Sequence, residues 1–229
     1  QSTLAHRAQG ATLRRMPKPF FSHVDTWVFD LDNTLYPPHA RLFDQIEVRM
    51  TQYVMDALGV ERAEADHLRQ KYWAEHGTTL AGLMREHDVD PGPYLTHVHE
   101  ISMADLEPEP ELEAHIRALP GRKIVYTNGT APYAQRVLEA RGLGNVMDAV
   151  DGVEHAGFLP KPEREAFDMV FETDGVRPET AAMFEDEQRN LAAPHDMGMR
   201  TVHVAPEPHA AEHIHHHTDD LTAFLARLL

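Results

Sequence analysis

Asp30 and Asp32 stand two residues apart in the segment DLDNT. At that spacing two carboxylates can hold a hard cation on oxygen while one attacks an electrophile and the other moves protons. Carboxylate attack is strong only on a centre such as phosphorus, helped by a cation. Thr127, Asn128 and Gly129 offer a hydroxyl and backbone N–H groups to an oxyanion. Lys161 lies between Pro160 and Pro162, whose stiff backbone could aim one ammonium at a phosphoryl oxygen and at Asp30. Glu185 and Asp186 are adjacent acids that need a cation or a positive partner to be comfortable. Each group alone has a blander reading. DxDNT is also a turn rich in capping residues, TNG a common turn, a loop lysine is usually solvated, and paired acids often dress a helix N-terminus.

The elements that must position these groups are legible from periodicity. TWVFD, residues 26–30, is short, aromatic and β-branched and runs into polar DNT, as a buried parallel strand feeding a loop does. Apolar residues then recur at helical spacing over 41–58, closed by Gly59, and a second helix is predicted over 61–76, closed by Gly77. Two shorter helices are predicted between 79 and 100, split by the DPGP turn. Beyond them helix and strand alternate: helix 109–119, strand 123–127, helix 132–141, strand 149–153 and helix 164–172. Strand 181–185, helix 189–197, strand 201–204 and helix 219–228 complete the series. This predicts an α/β fold, a Rossmann-like parallel sheet with helices on both faces, carrying one all-helical insertion after the first strand. Residues 20–36 and 103–229 form the core in this reading, 37–102 the helical cap, and 1–19 a disordered leader or tag remnant, with Met16 a candidate start. In such sheets chemistry collects at the carboxyl ends of the strands, where three polar clusters fall: DLDNT, TNGT and EDEQRN.

Composition narrows the partners. With 21 Lys and Arg against 37 Asp and Glu, the net charge of -16 opposes binding to a nucleic-acid backbone or an anionic membrane surface. No apolar run approaches the roughly 20 residues that span a bilayer. The absence of cysteine excludes a disulfide scaffold and suits a reducing compartment, so a cytoplasmic location is expected. The expected partner is a small phosphorylated metabolite, and the expected assembly a monomer or homodimer.

The order Asp-x-Asp-x-Thr, Thr-Asn, Lys, Glu-Asp resembles the four motifs of the haloacid dehalogenase superfamily. The phrases FDLDNTLYP, HGTTLAGL, LPGRKIVYTNGT, GFLPKP, FEDEQRNL and MGMRTVHV look like its pyrimidine 5'-nucleotidase branch. The resemblance implies a magnesium-dependent phosphatase with Asp30 as nucleophile and metal ligand and Asp32 as general acid and base, its backbone carbonyl also on the metal. It implies that Thr127 and the Asn128 amide hold the phosphoryl group and that Lys161 neutralises it. Asp186 is implied as a direct ligand, Glu185 as one acting through water, and Asn190 as their support. The insertion corresponds to the cap, with Thr78 and Thr79 as candidate substrate contacts. One departure stands out: after TNG the family usually shows a polar residue and a His one turn on, where this chain has Thr130, Ala131, Pro132 and Tyr133.

Two further features read as structural. HIHHHT, residues 213–218, is expected to be a surface loop of solvated histidines rather than a transition-metal site. Tyr72 and Trp73 are expected to pack in the core. Two rivals remain: a 2-haloacid dehalogenase, which needs neither Asp32 nor the Glu185-Asp186 pair, and a catalytically silent binding protein, which would have lost a core residue.

Overall fold

The computed structural model describes residues 18–229. Six parallel strands form one sheet: β1 (Thr26–Phe29), β2 (Arg122–Tyr126), β3 (Ala149–Asp151), β4 (Ala181–Glu185), β5 (Arg200–Val204) and β6 (His216–Thr218), in the order β3-β2-β1-β4-β5-β6. β1 is central and buried on both faces, which explains its unbroken apolar run. Side chains alternate across it: Trp27 and Phe29 join one core cluster, Val28 the other. On the Phe29 face lie α5 (Pro110–Ala118), α6 (Ala131–Ala140) and α9 (Leu221–Ala226), and on the Val28 face α7 (Arg164–Asp174) and α8 (Ala192–Asp196). Phe29 is in register with Val125 of β2 and Phe184 of β4, so the three strands end side by side.

Between β1 and α5 the chain makes four helices, α1 (Leu42–Leu58), α2 (Arg62–His76), α3 (Thr79–His87) and α4 (Pro91–Val98). Their buried residues, among them Ile46, Val54, Tyr72, Leu83 and Tyr94, are continuous with the core cluster of the Phe29 face. Asp90 caps α4 and Thr78 caps α3, its hydroxyl accepting from the Ala81 N–H at 3.1 Å. Both linkers to this helical lobe are fastened to α6. Arg136 donates to the carbonyls of His99 at 2.9 Å and Ile101 at 2.7 Å, and Arg141, just past the helix, donates to those of Leu35 and Glu107.

Several details depart from the sequence reading. Of the expected leader, residues 1–17 lie outside the described residues. Lys18 and Pro19 belong to a 3-10 turn, drawn in because Phe21 is buried against Trp27 and Phe224. The helix expected over 189–197 is a 3-10 turn (Gln188–Leu191) followed by the short α8, because Pro194 has no N–H and its ring excludes a helical turn before it. The HIHHHT segment is not a loop of solvated histidines: it contains edge strand β6, and Thr218 is buried. His213 donates to the Gln188 carbonyl at 3.0 Å and His217 to that of Ala205 at 2.7 Å. Tyr72 is fully buried as expected, but Trp73 is 49% exposed. Among the described residues, no helix is long and apolar enough to cross a membrane.

The family-like phrase HGTTLAGL owes part of its character to packing. A Cβ at Gly82 would lie 2.2 Å from Tyr72 Cγ, so α2 and α3 touch through a missing side chain. In an open helix, alanine would gain about 1 kcal/mol over glycine; overpacking here costs about 1–3 kcal/mol and reverses the sign. Gly82→Ala should therefore lower the urea midpoint at an unchanged m-value. A midpoint at or above the parent's would refute the contact.

Candidate active site

The register that aligns the ends of β1, β2 and β4 puts Asp30 beside Glu185 and the carbonyl of Tyr126. Asp30 N–H donates to the Phe184 carbonyl at 2.8 Å, continuing the ladder one residue past β1. Lys161 approaches from the loop before α7, and its ammonium donates to Asp30 Oδ1 at 2.7 Å, Glu185 Oε2 at 2.7 Å and the Tyr126 carbonyl at 3.0 Å. It is 1% exposed. The loop is held in place by Asn128, whose side chain accepts from the Lys161 N–H at 2.8 Å and donates to the Lys161 carbonyl at 3.1 Å. Thr127 is buried, and its hydroxyl accepts from the Gly129 N–H at 2.9 Å, leaving its own O–H to donate elsewhere.

Asp186 lies one residue past β4, with Oδ2 accepting from Asn33 at 3.2 Å and its carbonyl from His203 at 2.9 Å. Glu185 Oε1 accepts from the Glu187 N–H and from the Asn190 side chain, both at 3.2 Å. Both oxygens of Glu185 are thus occupied, one of them by Lys161. Asp32 is half-buried, and its Oδ1 accepts from two hydroxyls, Tyr36 and Tyr133, each at 2.6 Å.

The charges do not balance. Asp30, Asp32, Glu185 and Asp186 crowd around one ammonium, and burial alone costs several kcal/mol for an ion in such a setting. Burial, then the charge of Glu185, raises the Asp30 carboxyl to about 7 against the opposing pull of Lys161. Burial and the charge of Asp30 raise Asp32 to about 6, opposed by the tyrosine hydroxyls. Asp186 is pushed well above the carboxylate range by burial and by Asp30 and Glu185. Burial would lower Lys161, but Asp30 and Glu185 outweigh it and hold the ammonium charged. One oxygen each of Asp30, Glu185 and Asp186 lie within 4.8 Å of one another, and the buried Asp30 Oδ2 has no hydrogen-bond partner. An all-carboxylate oxygen set with an orphaned acceptor fits a hard divalent cation such as magnesium.

These groups open onto a cavity of about 630 Å³ between the sheet and the helical lobe. Its lobe side includes Phe43 and Met50 of α1, Arg69 and Trp73 of α2, Thr79 of α3 and Leu95 of α4. Thr78 and Thr79 both line it, but the Thr78 hydroxyl already serves as a helix cap. Sequence reasoning does not single out Tyr36, Asn33, His99 or Arg189, and it assigns Trp73 to the core, whereas Trp73 lines the cavity. Arg189 follows the Glu185-Asp186 loop, stacks 3.8 Å over the Trp73 ring and donates to the carbonyls of Trp73 and Gly77, each at 2.8 Å. Tyr36 lies within FDLDNTLYP, and Tyr133 is one of the residues by which this chain departs from the family pattern after TNG.

A family model described as haloacid dehalogenase-like hydrolase matches residues 24–198. Phosphate metabolism protein 8 of Saccharomyces cerevisiae is 24% identical over 187 residues, a match covering 75% of this chain and 58% of that protein. The chain therefore spans less than two thirds of that curated relative's length. CbbY from Rhodobacter sphaeroides, solved in complex with phosphate, shares the fold at a TM-score of 0.62 and 20% identity, over 90% of this chain and 99% of that one. YfnB from Bacillus subtilis, solved bound to magnesium, aligns at a TM-score of 0.59 and 17% identity, over 90% and 98% of the respective chains.

The raised Asp30 carboxyl has a thermodynamic signature. Because the folded state binds this proton more tightly than the ordinary value of 3.8 allows, its contribution to stability is complete below about 4 and lost as pH rises through about 7. In metal-free buffer, the melting temperature of the parent minus that of Asp30→Asn should fall across that window. Above pH 7, magnesium should raise the parent's melting temperature, by the equivalent of about 2.7 kcal/mol at a hundredfold excess over Kd. A flat difference curve, or no magnesium response, would contradict the assignment.

Proposed function

The chain belongs to the haloacid dehalogenase-like hydrolase family, and within it we propose a magnesium-dependent phosphomonoester hydrolase that works through an aspartyl-phosphate on Asp30. The observation that carries this reading is the state of Asp30. Its Oδ1 is pinned by a buried ammonium, its Oδ2 is unpartnered, and it lines the cavity between a second aspartate and a cation-demanding carboxylate set.

In the first half-reaction an Asp30 oxygen attacks phosphorus. The bond from phosphorus to the leaving oxygen breaks, and that oxygen takes the proton of the Asp32 carboxyl. In the second, water attacks phosphorus, gives its proton to Asp32, and the bond to Asp30 breaks. Lys161, the Thr127 hydroxyl and the Asn128 amide receive the phosphoryl oxygens. Asp30, Asp186 and the Asp32 carbonyl are the proposed magnesium ligands, with Glu185 acting through water and Asn190 holding Glu185. When bound, the ion neutralises phosphoryl charge. A dehalogenase would need neither the anchored Asp32 nor the carboxylate set, so both features support phosphate chemistry.

The lobe-side cavity, with Phe43, Trp73 and Tyr94 among its walls, supports a planar leaving group. We assign a pyrimidine nucleoside 5'-monophosphate as substrate, ahead of phosphoglycolate or a sugar phosphate. The enzyme on this reading is a cytoplasmic monomer or homodimer that binds neither nucleic acid nor membrane, and its cap comprises residues 37–102.

The test is phosphate release over a panel of these esters with and without magnesium. Turnover of nucleotides that survives excess chelator would sink the proposal. Asp30→Asn should abolish turnover, and Asp186→Ala should raise the magnesium concentration for half-activity, with partial rescue by excess metal. Because Thr78 also caps a helix, the cleaner probe of specificity is Thr79. Substitution there should change the ranking of esters more than the best rate, whereas an equal loss on all of them would remove Thr79 from substrate choice.

A further inference from the structure

Asp32 must present an oxygen to the substrate in both half-reactions, yet a free aspartate on a loop turns about two side-chain bonds. Here one of its oxygens is saturated. Tyr36, four residues further along the same loop, and Tyr133, from the first turn of α6, both donate to Oδ1 at 2.6 Å. Both tyrosines are 1% exposed, so neither hydroxyl has water as an alternative partner. The Tyr133 ring is itself fixed: it lies flat on the His99 imidazole, with centroids 4.3 Å apart and planes 4° from parallel, and His99 Nδ1 is 3.2 Å from the Thr130 hydroxyl. A carboxylate oxygen offers two lone-pair sites, and both of those on Oδ1 are taken. A proton arriving there would have to displace a tyrosine.

We propose, building on the phosphatase reading above, that Tyr36 and Tyr133 are positioning residues. They hold Asp32 so that Oδ2 alone exchanges the proton with the leaving oxygen and, in the second half-reaction, with water. The proton leaves Oδ2 as the bond from phosphorus to the leaving oxygen breaks, and returns to Oδ2 from the attacking water as the bond to Asp30 breaks. Neither tyrosine gains or loses a proton in either step. Burial and the charge of Asp32 hold both phenols far above their usual range, so they remain donors throughout.

Tyr36→Phe and Tyr133→Phe delete the hydroxyls and keep the rings, including the stack on His99. With magnesium bound, each should lower kcat/KM for an alkyl phosphate about 10- to 100-fold, the effect of losing a hydrogen bond to a charged group. Each should leave kcat/KM for an activated aryl phosphate nearly unchanged, because that leaving group needs little protonation. The aryl ester should then show a burst of product as the second half-reaction slows. A purely structural role would lower kcat/KM equally for both esters, and that result would overturn the proposal. A second readout does not depend on turnover: the parent should give two low-field hydroxyl proton resonances, each removed by one Tyr→Phe change and both shifted by Asp32→Asn. Their absence would overturn the proposal even in an active enzyme. A parent that shows both resonances and cleaves no phosphate ester would instead fail the phosphatase reading.

Discussion

The ammonium of Lys161, buried between Asp30 and Glu185, is the interaction on which the rest of the site depends. Without it the ends of β1 and β4 would bring carboxylates together with nothing between them. Breaking such a buried pair from one side costs about 3–5 kcal/mol. Because the charge sits on a loop remote in sequence, the fold has to guarantee its arrival. It does so through the parallel register of β1, β2 and β4 and the reciprocal amide pairing of Asn128 with the Lys161 backbone. Asn128 therefore serves the site through its side chain as a brace, whatever its backbone amide does for a ligand.

That one ammonium leaves the cluster short of positive charge, and the shortage is what makes the site chemically ready. Carboxyls raised toward neutrality are poor resting ions and good cation ligands once a cation is offered. The helical lobe, whose apolar residues share one core cluster with the sheet, forms the opposite wall of the cavity onto which these carboxyls open.

Much of this was legible in the chain. A short apolar run ending in DLDNT specifies a buried strand with acids at its tip, and AAMF followed by Glu-Asp-Glu specifies its neighbour; the structure places both within a residue of expectation. Helix α1 was readable because apolar spacing and Gly59 agree. What could not be read depends on distance in sequence. β6 is three residues long and polar in composition, and only its pairing with β5 makes it a strand. Tyr72 and Trp73 look alike in a helical pattern, yet one is sealed against Gly82 and the other lies open under a guanidinium from a residue 116 positions away. Tyr133 reaches Asp32 across 101 residues, a pairing that no local period encodes.

The attachments of the lobe follow a mechanical plan. Arg136 and Arg141 fasten both linkers to α6, which follows β2, while Arg189 holds the far side from the loop after β4. In the sheet β2 and β4 flank β1, so the two fastenings straddle Asp30. On the α6 side two guanidiniums hold the linkers themselves, and on the β4 side one guanidinium holds the end of α2. Asp30 is thus flanked on both sides by arginines whose donors are spent on backbone carbonyls, so the charge offered there to an incoming anion comes from Lys161 and from any bound cation.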